Sequence, residues 1–286
     1  MMLEKIISSD EWINTYQHPN TRRQAGIALK AWKRFSPDNQ TMELMKADTS
    51  SNMKYITLQR MIKYFTEEGI SGKSIRNYWN FIRNWWWYNG IKTDPHEIKS
   101  FVKFPKILKE IREPMTREII KQICDASIPY YKAFWLVLAS SGMRPEELIK
   151  TEKANLHLDE MPARIYLTPT ITKSAQGRNV FISKQAANEL TNNLEEVMGI
   201  KAVAYRLYFS KLRRKLGFKE KYSNGKNFLV QVYALRSFFF TQATMKHGSD
   251  YAHAMTGHGQ YLDQYLRIPN EKRIQMYFEI EPSLTI

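Results

Sequence analysis

One cysteine, Cys124, stands among the 286 residues of this chain. No disulfide can close within the chain, and a cysteine-based zinc site is excluded. Cys124 falls in the apolar-periodic run from Ile119 and reads as a small core residue. Acidic residues are scarce too, with 28 Asp and Glu against 43 Lys and Arg, for a net charge of +15. Long apolar runs are missing, and none approaches the roughly 20 residues that a helix needs to cross a bilayer. The opening Met1-Met2-Leu3-Glu4-Lys5 carries no apolar signal core. The expectation is therefore a protein of the cytoplasm with no membrane partner. Internal repeats and low-complexity stretches are absent as well.

The basic excess is spread out. Residues 1–112 hold 19 basic and 11 acidic side chains, and the remainder holds 24 and 17. A solubility bias would be the bland explanation. A polyanion touching both halves explains the spread better, and nucleic acid is the obvious candidate.

The first hundred residues read as a small helical bundle. Ser8 to Glu11 forms a capping box ahead of Trp12, Ile13 and Tyr16. Helical periodicity follows over about 21–35, 53–68 and 71–88, broken by Ser36-Pro37, Gly69 and Asn89-Gly90. In Trp85-Trp86-Trp87-Tyr88 the four rings cannot share one helix face, so two belong to the core and two to a neighbouring helix or domain. Aromatic contact with DNA is the functional alternative. Residues 101–114, with two prolines and no clear period, read as a linker. Domain boundaries are thus expected at 1–100, 101–114 and 115–286.

The second part opens with a helix from Arg117 and then a strongly apolar one from Tyr130 to Ser140. Residues 164–168 and 178–182 read as strands of a hairpin with its turn at Lys173 to Gly177. Helices are expected over 183–198, 203–216, 233–247 and 250–256. The fold class is mainly α, a helical bundle followed by an α-rich domain with a small antiparallel hairpin.

Two arginines stand in contexts suited to anions. Arg144 follows the apolar helix in Ser141-Gly142-Met143-Arg144, and Pro145 fixes the start of the next helix. A guanidinium offers two parallel hydrogen bonds to phosphate and stays charged. Glu147, one turn on, is placed to hold that guanidinium. Arg236 lies in Tyr233-Ala234-Leu235-Arg236, where the i, i+3 spacing puts Tyr233 and Arg236 on one helix face. Each motif also has a structural reading: a surface Arg–Glu pair for the first, a core aromatic for Tyr233. Candidate DNA contacts outside these motifs are Arg22, Arg23, Lys73 and Arg76 on the bundle and Arg178 after the hairpin turn. Lys211, Arg214 and Lys215, on one face of a basic helix, complete the set. His247, His253 and His258 have spacings that do not stack on one helical face, so no metal is expected.

This ordered set, with Gly257-His258 and then Tyr265, resembles the tyrosine recombinase (phage integrase) family. The resemblance covers most of the chain. It implies a helical DNA-binding domain and a larger catalytic domain that close around duplex DNA, with four protomers synapsing two sites and possible monomers in free solution. It implies cofactor-free strand transfer through a covalent 3′-phosphotyrosine. Arg144 and Arg236 would hold the scissile phosphate, Lys173 would protonate the leaving oxygen, Tyr233 and His258 would donate to the phosphate, and Tyr265 would be the nucleophile. Tyr261 and Tyr277 are the rival nucleophiles. Two departures stand out: Tyr233 replaces the family's usual histidine, and His258 and Tyr265 are closer together than usual. The closing segment, Tyr265-Leu266-Arg267 through Glu281-Pro282-Ser283-Leu284-Thr285-Ile286, resembles archaeal virus-type integrases. An integrase of an archaeal mobile element, acting at the nucleoid, is the expected function. The alternatives are a Xer-like chromosome-dimer resolvase and a non-catalytic DNA-binding relative.

Overall fold

The computed structural model describes residues 8–38, 40–48, 52–107, 115–222, 227–257 and 268–286. The chain divides into two compact units, Met1–Lys109 and Glu110–Ile286. Among the described residues it is mainly α-helical with one three-stranded antiparallel sheet.

The first unit comprises α1 (Ser9–Asn14), α2 (Pro19–Phe35), α3 (Gln40–Ala47), α4 (Met53–Glu67), α5 (Gly72–Tyr88) and α6 (Pro95–Phe101). The capping box at α1 forms as expected: Glu11 N–H donates to Ser8 Oγ at 3.2 Å, and Ser8 N–H to Glu11 Oε2 at 2.9 Å. Ser71 caps α5 in the same way, accepting from Ser74 N–H at 3.3 Å. The core is aromatic. Trp32 of α2 meets Trp86 of α5 edge to face at 5.4 Å, and Trp79 meets Trp86 at 5.2 Å. Trp85 and Trp86 are buried while Trp87 and Tyr88 stand exposed, because four successive residues cover the whole turn of a helix. Helices α3 and α6 escape the sequence reading. Both are short, and α6 begins only after Asp94 and Pro95 supply a cap and a fixed first residue.

The second unit runs α7 (Arg117–Asp125), α8 (Pro129–Ser141) and α9 (Pro145–Leu148), then β1 (Leu156–His157), β2 (Ala163–Leu167) and β3 (Arg178–Ile182). It continues with α10 (Lys184–Asn192), α11 (Leu194–Met198), α12 (Ala202–Lys215), α13 (Val232–His247), α14 (Ser249–Thr256) and α15 (Asn270–Leu284). Helix α8 is buried on every side from Ala133 to Ser141, which its apolar composition dictates. Around it pack α7, α10, α11, α13, α15 and β3. The expected hairpin is present, with Ala163 opposite Ile182 and Leu167 opposite Arg178. A third strand, β1, adds two residues to its edge. The single helix expected over 183–198 is instead two, interrupted at Asn193, whose side chain donates back to Glu189 O at 2.9 Å.

Two contacts set the second unit's geometry around the candidate site. Gly142 ends α8 with φ of +64°, and a Cβ there would stand 2.3 Å from the Phe239 ring of α13. Only glycine permits both the left-handed turn and the close approach of α13. At the other end of the chain, α15 packs into this unit's own core. Tyr277 is fully buried, and its hydroxyl donates to Ser140 O at 2.9 Å.

Candidate active site

The site is assembled where the turn after α8, the start of β3, α13 and the end of α14 meet. Arg144 is the N-cap of α9, and Glu147 sits at the third helical position. That spacing lets the Glu147 carboxylate reach back. Its Oε2 accepts from Arg144 N–H at 2.8 Å, and its Oε1 accepts from Arg144 Nη1 at 2.8 Å. Arg178 approaches the same carboxylate from β3, donating from Nη2 to Oε2 at 2.7 Å and from Nη1 to Oε1 at 3.4 Å. Its Nε donates to Met255 O of α14 at 3.2 Å.

Arg236, on α13, is buried as well. Its Nη1 donates to Gly142 O at 2.6 Å and its Nη2 to Thr256 O at 2.5 Å. The two carbonyls belong to helix C-terminal turns, where backbone oxygens are in excess and partially negative. Arg236 therefore ties the α8–α9 turn to the end of α14.

Electrostatics follow from this burial. Burial alone would raise the Glu147 carboxyl, but the Arg178 charge and the hydrogen bonds from Arg178 and Arg144 outweigh it and hold the group below the usual carboxylate range. Burial first, and then the nearby Arg144 charge, push Arg236 down to about 10. It is still a cation near neutral pH. Arg144 and Arg178 thus share the one buried Glu147 carboxylate, and Arg236, held by backbone carbonyls, adds a third positive charge nearby. Positive charge buried in this way favours an anion strongly, because the low local dielectric enlarges every interaction.

An open groove of about 320 Å³ borders the cluster, lined by Pro145, Glu146, Tyr205, Arg206, Arg213 and Tyr233 among others. Glu146, which follows Arg144 by two residues, accepts from the Tyr205 hydroxyl at 2.7 Å and also pairs with Arg206. Tyr233 is half exposed on the groove, one turn before buried Arg236.

No family model matches this chain. No curated protein matches it either. Solved structures do. A lambda integrase dimer bound to a COC′ core site is 14% identical and aligns over 92% of this chain and 96% of that one, with a TM-score of 0.65. The Tn1549 transposon integrase in complex with transposon right end DNA is 14% identical over 94% and 96%, again with a TM-score of 0.65. The XerH site-specific recombinase bound to its difH substrate is 15% identical over 88% and 76%, with a TM-score of 0.57. The chain has the tyrosine recombinase fold.

Within that recombinase fold the sequence-derived residues fall into three groups. Arg144, Glu147 and Arg236 come together in the buried cluster, with Tyr233 at its rim. Lys173 is exposed in the β2–β3 loop, five residues before Arg178. His258, Tyr261 and Tyr265 lie outside the described residues. Of the rival tyrosines, Tyr277 stands in the core, where burial raises its hydroxyl well above its usual range, so it cannot present an attacking oxygen to DNA.

The remaining basic residues are mostly at the surface. Arg22, Arg23, Lys73 and Arg76 are exposed. Asn77 donates to Gln24 at 3.5 Å, so the basic stretches of α2 and α5 adjoin. Arg76 covers the Phe104 ring at 4.7 Å. Lys211, Arg214 and Lys215 are exposed on α12. Arg178 corrects its assignment as a surface DNA contact: it is buried in the Glu147 ion pair. The signal was available, since Arg178 is in phase with Val180 and Ile182, the inward side of β3.

Proposed function

We propose that this chain is a site-specific DNA recombinase that cuts and rejoins duplex DNA through a covalent 3′-phosphotyrosine. The observation that carries the reading is the buried cluster of Arg144, Arg178 and Arg236 around Glu147. A phosphodiester under attack gains charge on its non-bridging oxygens, and preorganised cations aimed at that charge lower the barrier. Arg144 and Arg236 hold the scissile phosphate. Tyr233 donates to it from the rim. Lys173 comes in on its exposed loop and gives a proton to the leaving 5′ oxygen. His258 assists at the phosphate, and Tyr265 attacks it. The exposed basic residues of α2, α5 and α12 contact the DNA backbone. The fold shared with DNA-bound integrases and the motif order both support this chemistry. Recombination by four protomers on two synapsed sites, in the service of an archaeal mobile element, is the biological role we assign.

The experiment is a selection of bound duplexes from a random pool, followed by nicked suicide substrates built on the recovered sequence. A covalent protein–DNA adduct, formed in EDTA and mapped to Tyr265, is the expected result. Selective binding with no adduct under any condition would make the protein a non-catalytic relative.

A further inference from the structure

Arg178 was grouped with the surface contacts by its sequence position, yet it is among the few charged side chains in the second unit's core. Its guanidinium is used on both sides. One side grips both oxygens of Glu147, at 2.7 and 3.4 Å. The other donates to Met255 O at 3.2 Å. The chain then turns at Gly257, with φ of +65°, and a Cβ at that glycine would stand 3.0 Å from Arg178 Nη1. Arg178 is also the first residue of β3, where the loop carrying Lys173 ends.

Glu147 is the reason this matters. Alone with Arg144 it would form a one-to-one pair, and the carboxylate would compete with any phosphate for the Arg144 guanidinium. Arg178 supplies a second cation to the same two oxygens. The carboxylate is then shared, and Arg144 retains donors and charge for an anion. Burial sharpens the effect, because Glu147 is 1% exposed and solvent does not screen it.

We infer that Arg178 is a positioning residue, which neutralises Glu147 so that Arg144 can bind phosphate and which anchors the β2–β3 loop and the α14 C-terminus to the same point. This inference rests on the proposed recombinase reading for its cleavage readout, but its geometry concerns anion binding more generally.

The test compares full-length wild type, Arg178→Met, Glu147→Gln and the double variant Arg178→Met/Glu147→Gln. Two readouts are taken: single-turnover cleavage of a nicked suicide duplex, and the rise in melting temperature on adding inorganic phosphate, counting only the part that Arg144→Ala abolishes. Arg178→Met is expected to lose about 10²-fold in cleavage, the scale for a misplaced charge donor. Duplex affinity should change little, since other phosphate contacts remain. The phosphate-dependent rise should disappear. In the double variant, removing the carboxylate charge frees Arg144, so cleavage recovers at least about tenfold over Arg178→Met and the phosphate effect returns. Normal cleavage by Arg178→Met overturns the inference. So does a double variant whose losses merely add, because a purely structural arginine gives no rescue. Should Arg178→Met not fold, Arg178→Lys keeps the charge and loses the fork. It is expected to cleave at an intermediate rate, and wild-type cleavage would overturn the positioning role. A wild type that gains stability from phosphate through Arg144 but forms no adduct would sink the recombinase reading and leave Arg178 to be judged on phosphate alone. A wild type with neither response would overturn both.

Discussion

In the first unit Arg22, Arg23, Lys73 and Arg76 stand exposed on a bundle whose core is built of tryptophan, while in the second unit Arg178 and Arg236 lie inside the core itself. The same side chain serves two physical purposes. An exposed guanidinium acts through a screened field; it is replaceable, and its share of binding falls with salt. A buried one has lost its water. It must be held by specific acceptors, here Glu147, Met255 O, Gly142 O and Thr256 O, and what remains of its charge acts at nearly full strength on whatever anion arrives. The first arrangement suits finding and gripping a polymer. The second suits stabilising one reacting phosphate.

The sharpest way to break that contrast is to remove an attacking oxygen while leaving both kinds of arginine intact. Tyr265→Phe should bind selected duplex as wild type does and form no adduct, whereas Tyr261→Phe should keep adduct formation. An adduct in Tyr265→Phe, detected by denaturing gel, moves the nucleophile elsewhere.

Arg144→Ala and Arg236→Ala come next, each expected to reduce single-turnover cleavage by at least about 10²-fold. Duplex affinity at fixed salt should fall far less. Near-normal cleavage in either variant means that the buried cluster does not serve the reacting phosphate.

The exposed class should behave in the opposite way. Replacing Lys211, Arg214 and Lys215 together with Ala removes three cations from α12. The slope of log affinity against log salt should become shallower by about 3, since each phosphate left without its cation lowers it by about 0.9. An unchanged slope, measured by fluorescence anisotropy across salt, would mean that α12 does not face DNA.

The smallest effect is reserved for Tyr277→Phe. It deletes the hydroxyl that donates to Ser140 O and leaves a buried carbonyl short of a partner. About 1–3 kcal/mol of stability is at stake, visible as a lower melting temperature. Adduct formation at a temperature where the variant is folded should persist.

How much of this was legible in the sequence varied with how local its cause was. The capping box at Ser8 and Glu11, the 3.6-residue periodicity of α2, α4 and α5 and the hairpin strands depend on neighbours a few residues apart, so they could be read directly. The two-residue strand β1 could not, because its only claim to being a strand is the partner Arg164–Ile165 across the sheet edge. The break at Asn193 was hidden by a helical pattern that continues on both sides of it.

At the candidate site the division is the same. Arg144 with Glu147, and Tyr233 with Arg236, are spaced by single helical turns, and residue type plus spacing was enough to pair them. That the two motifs are brought to one place depends on residues far apart in the chain: the bond from Arg236 to Gly142 O spans 94 positions, and that from Arg178 to Glu147 spans 31. No local pattern records those distances. The sequence by itself determined a basic, mainly helical chain with two short arginine motifs spaced by single helical turns. Only the tertiary structure decided that Arg178 is an internal partner of Glu147 and that Tyr277 is sealed in the core. Burial decides both, and burial is a property of what other segments pack on top, not of the residue or its neighbours.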